Sequence, residues 1–171
     1  MITVAIIGAG PLGRWLAGAA ARAGFRTLLE DVMPSNLHHA RESLAAQAPA
    51  GEAASISFVT SIEDAVRDAD LVIDCVPDEL ESKLEILWLL DRMAPPRTII
   101  ATPTTRLEIA DLASCTYRPQ KCVAIALDPR DFAHLSRGGS IALKTTVKTD
   151  PETRALVCAF WHKLGFSVES S

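Results

Sequence analysis

No run of basic residues occurs in this chain of 171 residues, and its formal net charge is -4. That removes the electrostatic footprint of a nucleic-acid binder or of a protein docked on a membrane surface. No apolar stretch reaches the length of a membrane span. Met1 runs straight into the first apolar run, which leaves no room for a signal peptide, so a cytoplasmic protein is expected. Metal chemistry is not indicated either. The four cysteines, Cys75, Cys115, Cys122 and Cys158, have no metal-type spacing. Three of them lie in apolar segments and read as buried free thiols of a reducing compartment. His38, His39, Trp161 and His162 form no nucleophile or metal pattern and read as surface or packing residues. Internal repeats and linkers are missing too, so residues 1–171 are expected to form one domain. With 49% apolar and 22% charged residues the chain can build a substantial core and stay globular.

What is present begins at once. The apolar run 2–7 leads into Gly8-Ala9-Gly10-Pro11-Leu12-Gly13, and an Ala-rich stretch, 14–24, follows. Strand, tight turn and helix in that order form the site where a dinucleotide pyrophosphate sits. Gly8 makes the turn, Gly10 lets phosphate approach the backbone, and Gly13 lets helix and strand pack closely. The helix N-terminus offers unpaired N–H groups and the positive end of its dipole. A third feature agrees: the next apolar run, 25–29, ends in Glu30-Asp31, and Asp31 lies eighteen residues after Gly13. A carboxylate there accepts hydrogen bonds from the adenosine ribose and repels a 2′-phosphate, which favours NAD over NADP.

Strand and helix signals alternate almost to the end. Helices are expected at Pro34–Gln47, after Ser61, at 79–93, 106–113 and 151–164, with Pro95-Pro96 closing the third of these. Strands are expected at 56–59, 71–76, 98–101, 122–127, 140–145 and 166–169, and a small-residue loop at 49–55. Continuous apolar strands between helices imply an α/β fold of Rossmann type. Its mostly parallel, doubly wound sheet has helices on both faces. The helix 79–93 carries more apolar surface than one stripe can bury. Leu80, Ile86, Leu87, Leu90 and Ala94 can share the sheet-facing side. Leu84 then lies at the edge, and Trp88 and Leu89 point away, an exposed surface for a homodimer or a heterologous partner.

The chain resembles the NAD-binding domain of the 3-hydroxyacyl-CoA dehydrogenase family along essentially its whole length. The carriers are the glycine turn, Asp68-Ala-Asp-Leu-Val-Ile-Asp-Cys-Val-Pro-Asp-Glu-Leu-Glu-Ser-Lys83, Ala94-Pro-Pro, Ala101-Thr-Pro-Thr-Thr-Arg-Leu107, Thr149-Asp-Pro-Glu-Thr153 and Lys163-Leu-Gly165. The resemblance implies roles by position. Asp31 matches the adenosine-ribose acid, and Val76 and Pro77 lie at a strand end beside the cofactor. Asp78 takes the place of a Glu on the nicotinamide side, Lys83 matches a Lys near cofactor and substrate, and Thr105 falls on a substrate-contacting Ser.

The departures bear on activity. An Asn of the family is Pro103 here. The family's catalytic His lies in a His-Phe-Phe-Asn-Pro run, where this chain reads Ala124-Ile-Ala-Leu-Asp-Pro129. The Glu that partners that His falls near Ala142. Oxidising an alcohol needs a base for the hydroxyl proton, and His134 is the one nearby substitute. A basic excursion that helps hold CoA is short here, and the helical domain that closes the family's cleft is expected to be lacking. No catalytic residue is therefore assigned. The expectation is an NAD(H)-binding protein of fatty-acid-metabolism ancestry, degenerate or dependent on a partner chain. The alternatives are an active dehydrogenase for an acyl-CoA or a smaller hydroxy acid, completed by a second chain, and a non-enzymatic NAD sensor.

Overall fold

The structure is a computed structural model that describes residues 1–47, 56–132, 135 and 138–170. Its strands are β1 Thr3–Ile7, β2 Arg26–Glu30, β3 Ile56–Val59, β4 Leu71–Asp74, β5 Ile99–Pro103, β6 Cys122–Ile125, β7 Ser140–Lys144 and β8 Ser167–Ser170. Its helices are α1 Pro11–Arg22, α2 Pro34–Gln47, α3 Ile62–Val66, α4 Leu80–Met93, α5 Ile109–Ala113 and α6 Pro151–Lys163. All eight strands form one sheet in the order β3-β2-β1-β4-β5-β6-β7-β8. Neighbours are parallel except β6 and β7, which are antiparallel. The reason lies in the connections. Parallel neighbours need a crossover, and every pair up to β6 has one, whereas no helix separates β6 from β7 among the described residues. β8 returns parallel to β7 after α6.

Both faces of the sheet are covered. Along β1, Val4 and Ile6 join one core with Leu16, Leu44, Phe160 and Trp161 from α1, α2 and α6. Ala5 and Ile7 join the other with Val66, Leu87, Leu90 and Leu112 from α3, α4 and α5. This period-two split explains why β1 and β4 read as unbroken apolar runs. Each large side chain buried this way contributes about 1.5–3 kcal/mol. Trp161 is fully buried, with edge-on contacts to Phe160 and Phe166 at 5.5 and 5.7 Å.

Several boundaries differ from those expected. Helix α1 begins at Pro11, inside the glycine turn, rather than at residue 14. Proline suits a first helical position, where its fixed φ is helical and its missing N–H is not needed. β4 stops at Asp74, before Val76 and the N–H-less Pro77. β6 stops at Ile125, because the Leu127 N–H folds back onto the Ile125 carbonyl at 2.7 Å and turns the chain out of the sheet. A short 3-10 turn, Pro119–Lys121, was not anticipated. Leu80 is 49% exposed instead of facing the sheet, because the first position of α4 lies past the strand ends. Cys122 is buried, while the free thiols Cys75, Cys115 and Cys158 are half-buried. The expected loop at 49–55 and His134 lie outside the described residues.

Candidate functional site

β1, β2 and β4 are adjacent and parallel, so the chain leaves all three at the same end of the sheet. A cleft of about 510 Å³ opens there. It has the size and the largely apolar lining of a small-molecule site.

The glycine turn forms its centre, and each glycine has a measurable reason. Gly8 has φ +101°, and its N–H donates to the Glu30 carbonyl at 2.8 Å, which ties the turn to β2. A Cβ on Gly13 would lie 1.8 Å from the Gly8 carbonyl oxygen, so no side chain fits. A Cβ on Gly10 would meet nothing within 4 Å, so there the glycine leaves space open to the cleft. Gly10 is the N-cap of α1, offers no side-chain cap, and leaves the first-turn N–H groups facing the opening. Pro11 is exposed at the mouth, while Leu12 is buried in the core under α1.

Asp31 is held in place from three directions. Its carboxylate accepts the Ala9 N–H at 2.9 Å, the Met33 N–H at 2.8 Å, and the Asn36 amide at 3.1 Å to each oxygen. Asn36 alone among these donors gives its side chain, and that side chain is exposed. Beside Asp31, the Glu30 carboxyl also lines the cleft, and its pKa is pushed up to about 7, first by burial and then by the Asp31 charge. Ile62 and Ile86 form an apolar wall, and Cys75, Val76 and Pro77 follow the end of β4. Burial, then the Asp74 charge, pushes the Cys75 thiol far up, so it is not a thiolate. Pro129 and Arg130, from the turn after β6, close the far end, where the Arg130 guanidinium lies 3.6 Å from the Glu79 carboxylate.

Of the residues expected from sequence, Gly8, Gly10, Asp31, Val76 and Pro77 line this cleft together. Asp78 is buried behind it. It accepts the Thr104 hydroxyl at 2.5 Å and the Thr105 N–H at 3.1 Å, so it anchors the loop after β5. Thr105 itself is exposed on that loop. Lys83 does not reach the cleft lining. It is fully buried, with its Nζ 2.6 Å from Oδ1 of an equally buried Asp74. Sequence reasoning missed Glu30, Asn36, Cys75, Pro129 and Arg130 as lining residues. For Glu30 the signal was present, since a charged residue ended an otherwise apolar strand.

The sequence profile described as "3-hydroxyacyl-CoA dehydrogenase, NAD binding domain" matches residues 3–167. The chain belongs to this family. Its cofactor is NAD, and the glycine turn, Asp31 and the apolar wall suit a dinucleotide. Among similar proteins, the probable 3-hydroxybutyryl-CoA dehydrogenase of Bacillus subtilis is 33% identical over 135 residues, covering 71% of this chain and 47% of that protein. The 3-hydroxybutyryl-CoA dehydrogenase of Bradyrhizobium diazoefficiens is 30% identical over 98% of this chain and 60% of its own length. Among solved structures, a diketoreductase superimposes with TM-score 0.87 at 30% identity, over 100% of this chain and 64% of that one. The 3-hydroxyacyl-CoA dehydrogenase of Archaeoglobus fulgidus gives TM-score 0.83 at 28% identity, over 99% of this chain and 56% of that one. The chain thus spans about half to two-thirds of the length of these dehydrogenases.

Proposed function

We propose that this chain is a partner-dependent oxidoreductase unit of the 3-hydroxyacyl-CoA dehydrogenase family: it binds NAD(H) but does not oxidise an alcohol unaided. The carrying observation is the end of β6. Ile125 and Leu127 are buried there, and the Asp128 carboxylate accepts the Arg130 N–H at 2.8 Å within its own turn. Among the described residues no imidazole lines the cleft, and β7 carries Ala142 where a partner acid is expected.

Residues for cofactor binding are in place. Gly8, Gly10 and the first turn of α1 suit a pyrophosphate. Asp31 suits the adenosine ribose, whose hydroxyls can take the acceptor positions now used by the exposed Asn36 amide, since a carboxylate has about four such positions. Val76 and Pro77 suit the ring half of the cofactor. Bound NAD supplies hydride acceptance; what these residues supply is orientation and a partly dry wall. Asp78 fixes the loop that presents the Thr105 hydroxyl, a group suited to a substrate oxygen. The substrate class is a 3-hydroxyacyl-CoA, by the names of the relatives.

Removal of a general base costs about 10²–10⁴ in rate. The test is NADH formation from a 3-hydroxyacyl-CoA by the purified chain, beside calorimetric titration with NADH. Binding without measurable turnover is the expected outcome. Turnover within tenfold of an ordinary relative would overturn the reading and direct attention to His134.

A further inference from the structure

Glu30 ends β2, is 4% exposed, and lines the cleft beside Asp31. Alternation along β2 sends Leu29 into the core under α1 and α2 and Glu30 to the opposite face. In the sheet register Glu30 pairs with Ile7, and Ile7 pairs with Asp74. Glu30 and Asp74 therefore stand in one row on one face, two strands apart, roughly 10 Å at the usual strand spacing. The two carboxyls are treated differently. Asp74 receives the buried Lys83 ammonium. The Glu30 carboxyl has no hydrogen-bond or ion-pair partner among the described residues.

The surrounding charges do not supply one. Directly after β2 the neighbour is Asp31, another carboxylate. β1 and β3 present Ile7 and Val59. Just past β4, Cys75 is kept as a neutral thiol, and on α4, Lys83 is committed to Asp74. The charged groups of α3 and its C-terminal cap are Glu63, Asp64 and Arg67, all exposed, with Arg67 paired to Asp64 at 2.7 Å. On α2, His38 and His39 are exposed, and His38 lies 3.3 Å from Glu42. Arg130, the one cation of the lining among the described residues, pairs with Glu79 instead.

Burial without a cation favours the uncharged acid. A dinucleotide strengthens that bias twice, since it brings a doubly negative pyrophosphate and displaces water from the cleft. We propose that Glu30 is a cofactor-binding residue that enters the complex as the neutral acid, hydrogen-bonding the adenosine half, so that binding above neutrality takes up one proton. The balance is free carboxylate, one proton and NADH on one side, and the complex with Glu30 protonated on the other. A neutral carboxyl offers an O–H donor as well as an acceptor, which Asp31 does not.

This inference rests on NAD occupying the cleft. The experiment is titration of the purified chain with NADH from pH 6 to 9, read by nucleotide fluorescence, with calorimetry at pH 8.5 in two buffers of different ionisation heat. Burial and the Asp31 charge push the free Glu30 carboxyl up to about 7. Affinity should be level below that point, and above it the dissociation constant should rise toward tenfold per pH unit. The buffers should report close to one proton taken up. Glu30→Gln keeps the shape without the titration and should bind with a level pH profile and no proton uptake, as should Glu30→Leu. A level profile in the native chain, or the same slope in both variants, would overturn the proposal. Absence of NADH binding in the native chain and both variants at every pH would instead overturn the cofactor assignment itself, and the proposal with it.

Discussion

Lys83 shows how far a residue's type and spacing carry an argument, and where they stop. By its place in the pattern it belongs beside cofactor and substrate. In the fold it is fully buried against Asp74. A signal for that was present: Lys83, Ile86, Leu87 and Leu90 recur at helical spacing, and all four are buried. A lysine in an apolar stripe needs a buried acid, and Asp74 at the end of a buried strand is that acid. The glycines were legible because each answers a local steric demand, such as the 1.8 Å approach that forbids any side chain at Gly13. The direction of a long side chain is set by packing, which spacing alone does not fix. The ion pair gives a test of stability. Lys83→Met leaves the Asp74 charge alone in the interior and should cost about 3–5 kcal/mol, whereas Lys83→Met with Asp74→Leu should recover most of that loss. Urea unfolding midpoints of the two variants read the difference.

Helix α4 was placed well by its apolar period and its Pro95-Pro96 stop, but its two faces were only half legible. Ile86, Leu87 and Leu90 are buried as expected. Leu84 packs at the edge of the second core, and Leu89 is half-buried beside Val76, Pro77 and Ile86. Trp88 remains 50% exposed under the Arg92 guanidinium, 4.6 Å from its ring centroid. The C-terminus of α4 depends on a residue that no local pattern points to. Arg118 bonds the Asp91 carboxylate at 2.9 Å and the carbonyls of Asp91, Ala94 and Pro95, so the freed helix-end carbonyls are satisfied from 27 residues away. Such a cap is a product of tertiary structure and is invisible to a window of sequence. Leu80, Trp88 and Met93 are large apolar side chains left exposed along this one helix, and a concentration of exposed apolar surface favours association. Light scattering of the purified chain at high concentration should therefore give a mass above one chain. Leu80→Glu with Trp88→Glu should return it to the monomer mass with little change in unfolding midpoint. A monomeric native chain would show that this face has no partner of its own kind.

At the scale of the whole molecule, strand order decides where the chemistry can be. The chain's first strand lies beside β2 and β4, so the glycine turn, Asp31 and Val76 meet at one end of the sheet although they are far apart in sequence. That convergence was legible, because alternating strands and helices with right-handed crossovers leave few arrangements. The far end of the cleft was not, since Pro129 and Arg130 reach it only where β6 bends out of the sheet at Leu127. A ligand seated across this end touches segments that follow β1, β2, β4 and β6, so it should stabilise the fold as one unit. NADH at a hundred times its dissociation constant adds about 2.7 kcal/mol to the folded state. For a chain of this size each kcal/mol is worth about 2–4 °C, so Tm should rise by roughly 5–10 °C. Far-ultraviolet circular dichroism and tryptophan fluorescence should move together, since Trp15, Trp88 and Trp161 sample different parts of the fold. NADPH at the same concentration should raise Tm much less, because its 2′-phosphate meets a carboxylate that three donors already hold rigidly in place. An equal shift with NADPH would mean that Asp31 does not face the ribose, since among the described residues the lining's one cation, Arg130, pairs with Glu79.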